Sequence, residues 1–289
     1  MIVTRFAPSP TGYLHLGHAY AACIAQNAAK LQSDGRFLLR IEDIDAARCK
    51  PEFEAAIFED LAWLGLDWEK PVLRQSERFD AYRAALGNLE AQGLLYPCFC
   101  TRKEIAEEVA RASGAPHSIN LGPEGALYPG TCRKLSAAER KAKMAQGALY
   151  ALRLDVEMAA SMAGAITFNE LGRGLSGETG TIAVNPRLFG DIVLARKETP
   201  AAYHLAVVVD DAFQNVTLVT RGHDLFAAAH VQRLLQTLLG LPAPSYGHHD
   251  LVLDEQGRKF SKRDNAVTLR ALRESGVTPD EIPARIGLR

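Results

Sequence analysis

Short apolar-rich runs of strand length lie at Ile2 to Phe6 and Phe37 to Ile41, and between them Leu16 to Gln32 carries an alanine-rich apolar stripe at helical spacing. This predicts a strand, helix, strand opening. Pro51 is placed to be the first residue of a helix running to about Leu64, and Ser76 to cap another that begins at Glu77 and ends near Gly93. Strand-like runs recur at Tyr150–Leu154, Asp191–Ala195 and Val216–Thr220, and a helix over Ala227–Leu239 is closed by Gly240 and Pro242. A further strand-like run, Asp250–Leu253, precedes a turn at Glu255-Gln256-Gly257. Helices alternating with short strands predict an α/β fold around a parallel sheet.

From Tyr96 to about Leu149 the pattern changes. A Cys-x-Cys is followed by a charged helix (Thr101 to Ala112), a Gly/Pro-rich loop (Gly114 to Gly130), another cysteine and a helix over Ser136 to Gln146. This reads as an insertion, so the expected organisation is a first sheet half over residues 1–95, an insertion over 96–149, a second half over 150–245 and a C-terminal segment over 246–289.

Composition narrows the class without naming it. With 33 basic and 34 acidic side chains among 289 residues and 47% apolar residues, the chain is ordinary globular and not disordered. The net charge of −1 supplies no global pull toward nucleic acid, although Arg258 to Arg289 hold eight Lys/Arg against four Asp/Glu. The start, Met1-Ile2-Val3-Thr4-Arg5, lacks the basic and apolar regions of a secretory signal, and no apolar run approaches the ~18 residues a membrane span needs. The expectation is a cytoplasmic chain with no membrane contact. An odd set of five cysteines in a reducing compartment argues against a disulfide framework; Cys23 and Cys49 read as packing residues.

Two segments carry candidate chemistry. The first, Pro8-Ser9-Pro10-Thr11-Gly12-Tyr13-Leu14-His15-Leu16-Gly17-His18, lies between the first strand and the first helix. There a helix N-terminus offers N–H groups and a positive dipole end to a phosphate, and His15 and His18 share one face. The plain alternative is two surface histidines beside a turn. The second is Lys259-Phe260-Ser261-Lys262-Arg263, whose lysines can follow phosphate charge as it moves toward a leaving group. A solvated basic loop is its alternative.

Together, His-Leu-Gly-His and Lys-Phe-Ser-Lys-Arg resemble the HIGH and KMSKS signatures of class I aminoacyl-tRNA synthetases, with departures at Phe260 and Arg263 that point to the glutamyl and glutaminyl branch. Arg5-Phe6-Ala7-Pro8-Ser9 and Glu42, in Leu39-Arg40-Ile41-Glu42-Asp43-Ile44-Asp45, are similar to the segments with which that branch holds glutamate. The chemistry agrees: Arg5 can fork a carboxylate, Ser9 can donate a hydrogen bond and Glu42 can receive an α-ammonium. The alternative is that Arg5 and Glu42 pair across neighbouring strands. The resemblance also implies amino-acid contacts for Tyr203 and Arg221, with Arg221 meeting the side-chain carboxylate and thereby disfavouring glutamine. Val207 stands where the branch tends to have asparagine, so one polar contact is missing. Asp210 and Asp211 read as residues that cap or close a helix.

Only 26 residues follow Arg263, too few for the anticodon-binding domain of the charging enzymes. Taken with the motifs and the Cys-x-Cys insertion, the chain resembles the glutamyl-queuosine tRNA(Asp) synthetase branch over essentially its whole length. That resemblance implies a Rossmann-like catalytic domain with a small zinc-containing insertion and a short helical C-terminal segment. It implies activation of L-glutamate with ATP and Mg²⁺, then transfer to the queuosine base of tRNA(Asp), by a chain expected to be a monomer. His15, His18, Lys259 and Lys262 take the catalytic roles, with Pro8, Gly17 and Ser261 joining them around ATP. Rival readings are a minimal enzyme charging a tRNA 3′ end, a non-catalytic tRNA-binding relative and a small-molecule nucleotidyltransferase.

Cys98, Cys100 and Cys132 supply three thiolates where a closed structural zinc site wants four ligands. Bare chemistry favours His117 as the fourth, imidazole being the commoner ligand. The spacing in the resembled family favours Tyr128, four residues before Cys132. Three unmetallated cysteines in a small apolar patch are the alternative.

Overall fold

This computed structural model describes residues 1–112, 121–196, 199–252 and 267–288, without the side chains of 111 and 112. In chain order the elements are β1 (Val3–Phe6), α1 (Leu16–Lys30), β2 (Arg36–Ile41), α2 (Pro51–Trp63), β3 (Glu69–Arg74) and α3 (Phe79–Ala91). Next come β4 (Leu95–Cys98), α4 (Arg102–Ala112), the short strands β5 (Leu121–Gly122) and β6 (Gly125–Ala126), and α5 (Ala137–Ala145). These lead to β7 (Ala151–Leu154), α6 (Val156–Ala163), β8 (Thr167–Glu170), β9 (Gly180–Ala183), β10 (Val193–Arg196) and α7 (Tyr203–Phe213). The remainder is β11 (Leu218–Gly222), α8 (Ala228–Leu238), β12 (Ser245–His249), α9 (Leu269–Glu274) and α10 (Ile282–Arg285).

The expected parallel sheet forms the centre. β1 pairs in parallel with β2, and β2 with β3, while β11 pairs in parallel with β12, and β12 with β8. The Thr217 N–H donates to the Val3 carbonyl at 3.0 Å and so brings β11 alongside β1. β9 adds an antiparallel edge to β8, and a separate antiparallel sheet runs in the order β10, β7, β4.

Small side chains let α1 lie close on this sheet. Ala19, Ala22, Ala25 and Ala29 form its buried stripe, and the Thr4 hydroxyl donates to the Ala25 carbonyl at 2.7 Å. The chain then turns back at Gly35, where a Cβ would stand 1.9 Å from the Ala29 carbonyl oxygen. Leu269, Leu272, Ile282 and Ile286 of the C-terminal segment join Leu39, Ile41, Ile57 and Leu61 in one apolar cluster beneath α1 and α2. A second cluster holds Leu86, Leu154, Leu194, Leu205 and Leu234, between the antiparallel sheet and the helices α3, α7 and α8.

Several boundaries differ from those expected. Ser76 does not cap a helix: its backbone N–H and hydroxyl both go to Asp43, and α3 starts only at Phe79. Among the described residues the last strand lies over Ser245–His249, where β11 pairs in parallel register from Leu218 opposite Ser245 to Gly222 opposite His249; of the expected Asp250–Leu253 run, Asp250 to Val252 carry no strand and Leu253 lies outside the described residues. β3 carries too few apolar residues to announce itself, yet it lies parallel to β2. Ser136 does cap α5, in a reciprocal capping box with Glu139.

Candidate functional site

The phosphate-side candidates sit at the N-terminus of α1. His15 is the N-cap of that helix: its Nδ1 accepts from the Gly17 N–H at 3.2 Å, and its own N–H donates to Nδ1 of His18 at 3.1 Å. Both Nδ1 atoms are therefore acceptors, so each neutral ring carries its proton on Nε2. The two ring centroids are 3.8 Å apart. The preceding loop is stapled to the end of β2 by Glu42 N–H to Pro8 carbonyl and to the start of α2 by Lys50 N–H to Pro10 carbonyl, each at 3.0 Å. Across from it, Thr268 forms a β-bridge with His15, and the Leu269 N–H donates to the Leu14 carbonyl at 2.8 Å. Lys259, Ser261 and Lys262, with Phe260 and Arg263, lie outside the described residues.

The amino-acid candidates converge at the carboxyl ends of β1, β2 and β11 and the first turn of α7. Burial foremost, with the carboxylates of Glu42 and Asp211, raises the Tyr203 phenol above its usual value, while Arg221 and Arg5 oppose. One hydroxyl thus feels Arg5, Glu42, Asp211 and Arg221 together. Phe6 is turned into the core, so only its backbone faces the loop; Val207 is fully buried, and Ser9 and Ala7 are partly exposed.

Arg5 and Glu42 do not pair with each other. Arg5 is gripped by Asp211, Nε to Oδ1 at 3.0 Å and Nη2 to Oδ2 at 3.4 Å. Glu42 accepts from Arg40 at 3.2 Å, and Arg40 also reaches Asp211 at 2.6 Å. Burial pushes the Glu42 carboxyl above its ordinary value despite Arg40 and Arg5. Burial acts on Asp211 too, but there the two arginines win and hold the carboxyl below its ordinary value. Asp210 and Asp211 are thus anchors and not caps: Asp210 accepts from Gln75, Arg78 and Tyr82. Sequence reasoning missed this because adjacent acids near a helix end carry the same signal as a cap.

Arg221 is held from two sides. Its Nε–H donates to Nε2 of His248 at 3.0 Å and its Nη1 to Gln232 at 2.9 Å, leaving the buried Nη2 without a partner among the described residues. His248 in turn meets Glu170 at 2.6 Å, both completely buried. Neither residue was singled out by sequence; a charged residue ending the strand-like Thr167-Phe168-Asn169-Glu170 was the available signal.

A cavity of about 630 Å³ opens beside Tyr203. The hairpin of β5 and β6, with Asp45, Arg48, Arg153, Arg196 and His204, lines it.

The cysteines assemble apart from these loops. The sulfurs of Cys98, Cys100 and Cys132 lie within 4.8 Å of one another, with Cys100 and Cys132 at 3.4 Å. Thiolates 2.3 Å from a tetrahedral zinc stand about 3.8 Å apart, so the donor set fits a metal such as zinc. The Tyr128 hydroxyl is 3.5 Å from the Cys100 sulfur and accepts the Cys132 N–H at 2.8 Å. The Arg153 guanidinium covers its ring at 4.0 Å. His117 lies outside the described residues.

A parallel sheet with a histidine-bearing helix N-terminus at one strand end and converging charged side chains beside it is the arrangement expected from the resemblance to a class I synthetase catalytic domain. The model of the catalytic domain of class I tRNA synthetases for E and Q matches residues 1–289, and the chain belongs to that family. It is a ligase-type aminoacyl-tRNA synthetase-like enzyme. A glutamyl-Q tRNA(Asp) synthetase of Rhodobacter capsulatus is 48% identical, over 99% of this chain and 100% of the relative. A glutamate–tRNA ligase of Aquifex aeolicus is 40% identical, over 97% of this chain but only 55% of the relative. The crystal structure of a glutamate tRNA ligase from Elizabethkingia meningosepticum in complex with its amino acid superposes with a TM-score of 0.74 at 30% identity, covering 91% of this chain and 52% of that one. The chain therefore spans about half the length of these ligases. Among the described residues no helix is long and apolar enough to cross a membrane.

Proposed function

We propose that this chain activates L-glutamate with ATP and transfers it to the queuosine base in the anticodon loop of tRNA(Asp), as a cytoplasmic monomer. The observation that carries the amino acid is the buried Nη2 of Arg221, which has no partner among the described residues, in a group of charges with Arg5 and Glu42 that all act on the Tyr203 hydroxyl. A buried cationic donor without an acceptor is costly, and a ligand carboxylate relieves it. The acceptor reading is supported by the relative of matching length that bears that name.

In this reading the glutamate α-carboxylate attacks the α-phosphorus of ATP in line, forming glutamyl-adenylate and releasing pyrophosphate. Arg5, Ser9, Tyr203 and Arg221, with the backbone of Phe6, Ala7 and Pro8, hold the amino acid, while Glu42 takes its ammonium. His15 and His18 present Nε2–H groups to the phosphates beside the N–H of Gly17, and Lys259, Ser261 and Lys262 complete the ATP site, so the rate comes from orientation and preorganised charge. Mg²⁺ bound with ATP would neutralise phosphate charge. A hydroxyl of the queuosine ring then attacks the activated carbonyl and releases AMP. The cavity beside Tyr203 gives that ring a route, with Arg48, Arg153 and Arg196 at hand for backbone phosphates. Cys98, Cys100, Tyr128 and Cys132 would hold a structural Zn²⁺ that pins residues 96–149 between the catalytic halves 1–95 and 150–245, with 246–289 as the C-terminal segment.

The deciding experiment is incorporation of labelled glutamate, with ATP and Mg²⁺, into matched tRNA(Asp) carrying queuosine or guanosine at the same position. Labelling of the queuosine form alone is expected. Equal labelling of both, or labelling of tRNA(Glu), would establish the minimal charging enzyme, the second reading favoured by the Aquifex relative.

A further inference from the structure

We propose that Glu170 and His248 are positioning residues for Arg221: a buried relay across three adjacent strands that fixes which guanidinium nitrogen faces the amino acid. The inference rests on the glutamate reading above and deepens it, by assigning the origin of side-chain selectivity to residues that never touch the ligand.

The strands set the alignment. Arg221 on β11 lies directly opposite His248 on β12, and Tyr246 of β12 lies opposite Glu170 on β8. Because the Arg221 Nε–H always donates, His248 Nε2 must be an acceptor. The ring proton then sits on Nδ1 and points to Glu170 Oε2 at 2.6 Å. Glu170 cannot turn away, since its Oε1 accepts the N–H groups of His248 and Gly172, each at 2.8 Å. The backbone there is pressed onto β12: a Cβ on Gly172 would stand 2.1 Å from the His248 carbonyl oxygen. Phe226 meets the His248 ring edge-on at 5.1 Å, and the Tyr246 ring stacks parallel to it at 6.0 Å.

Each hydrogen bond in the series therefore fixes the next. With Nε committed to His248 and Nη1 engaged by Gln232, Nη2 is the one guanidinium nitrogen without a partner among the described residues, and the one we assign to the ligand. A carboxylate accepts from Nη2 through either oxygen in a charge-assisted hydrogen bond. A glutamine amide offers one oxygen and turns an N–H₂ toward a donor. Loss of the His248 acceptor would release the guanidinium to rotate, spreading the donor over several directions and weakening the preference.

The test is glutamate-dependent ATP–pyrophosphate exchange by the full chain, comparing wild type with His248→Leu, His248→Gln and Glu170→Gln. Loss of a hydrogen bond to a charged group should raise KM for glutamate about 10- to 100-fold in His248→Leu, with KM for ATP and kcat within about threefold. Discrimination against glutamine should fall in the same variant. His248→Gln, whose amide oxygen can accept from Arg221, should recover most of the loss, and Glu170→Gln should raise KM for glutamate by a smaller factor. Equal damage to both KM values and kcat would assign these residues a merely structural role. So would an unchanged KM for glutamate, or a His248→Gln protein no better than His248→Leu. Should His248→Leu fail to fold, Glu170→Gln decides by the same split. Absence of exchange in the wild type would instead overturn the proposed function itself, before any substitution is made.

Discussion

Replacing Asp211 by Asn removes one charge from the most tightly interlocked group of buried ions in the described structure. Arg5, Arg40, Glu42 and Asp211 are all nearly or completely inaccessible, and their two positive and two negative charges cancel. Asp211 alone contacts both arginines, at 3.0 Å and 2.6 Å. Opposite charges about 4 Å apart attract by roughly 4 kcal/mol at the effective dielectric of such sites, so the gross loss approaches about 8 kcal/mol. Glu42, Gln214 and entering water recover part of it, and breaking one partner of a buried pair generally costs about 3–5 kcal/mol. Guanidinium unfolding at pH 7.5, followed by fluorescence of Trp63 and Trp68, should therefore show a loss of that size at an unchanged slope. Adding Arg40→Met to Asp211→Asn rebalances Arg5 against Glu42 and should return about 1–2 kcal/mol. A loss below about 1 kcal/mol in the single variant, or a double variant weaker than the single, would refute the charge balance drawn from this geometry.

Three further outcomes follow from the same reasoning. Burial, partly offset by Arg273, raises Asp60 from 3.8 to about 6; a raised carboxyl contributes stability at low pH that is lost as pH climbs through its folded value, so Asp60→Asn should be more stable than wild type at pH 7.5 by up to about 3 kcal/mol, with the gap about 1 kcal/mol smaller at pH 5. A gap independent of pH would count against it. Glu42 is raised above its ordinary 4.5 in the free protein, and a bound α-ammonium lowers it again, so glutamate binding should release protons and tighten as pH rises through that range, as calorimetry in buffers of different ionisation heat would show; proton uptake would exclude Glu42 as the ammonium partner. Purified protein should carry one zinc per chain, with Tyr128→Phe weakening it at least about tenfold in a chelator competition and Cys132→Ser abolishing it; a Tyr128→Phe protein with unaltered affinity would remove the phenol from the ligand set.

How far the sequence alone carries depends on whether a residue's partner is near in the chain. The opening strand, helix, strand unit was legible because its periodicity is local, and the cysteine cluster because two thiols stand two residues apart and the third is the last remaining candidate beside them. β12 was displaced because its inward positions are Tyr246 and His248, polar in composition yet buried. His248 can be buried only because Glu170, 78 residues earlier, accepts the hydrogen bond from its Nδ1–H. The anchoring by Asp211 was hidden for the same reason: its partners Arg5 and Arg40 lie 206 and 171 residues away. Pairings of this kind exist only once the strands are ordered.

Those long-range pairs share one design. Each arginine assigned to the amino acid is backed by a carboxylate behind it, Asp211 directly behind Arg5 and Glu170, through His248, behind Arg221. A cation buried alone would cost more than the fold can spare, and a cation paired from the pocket side would have no donor left for a ligand. Backing from the core resolves both demands: charge is balanced while the pocket is empty, and the guanidinium rotamers are fixed before the ligand arrives. Under the proposed function, binding then need not order these side chains, each worth about 0.5–1.5 kcal/mol, and that saving goes to holding the α-carboxylate in line with the phosphate. In the proposed function the strands supply a rigid amino-acid pocket, and the N-terminus of α1 supplies the donors for phosphate. Their meeting point is the loop of Pro8 to His15, tied by backbone hydrogen bonds to Glu42 on one side and to Leu269 on the other.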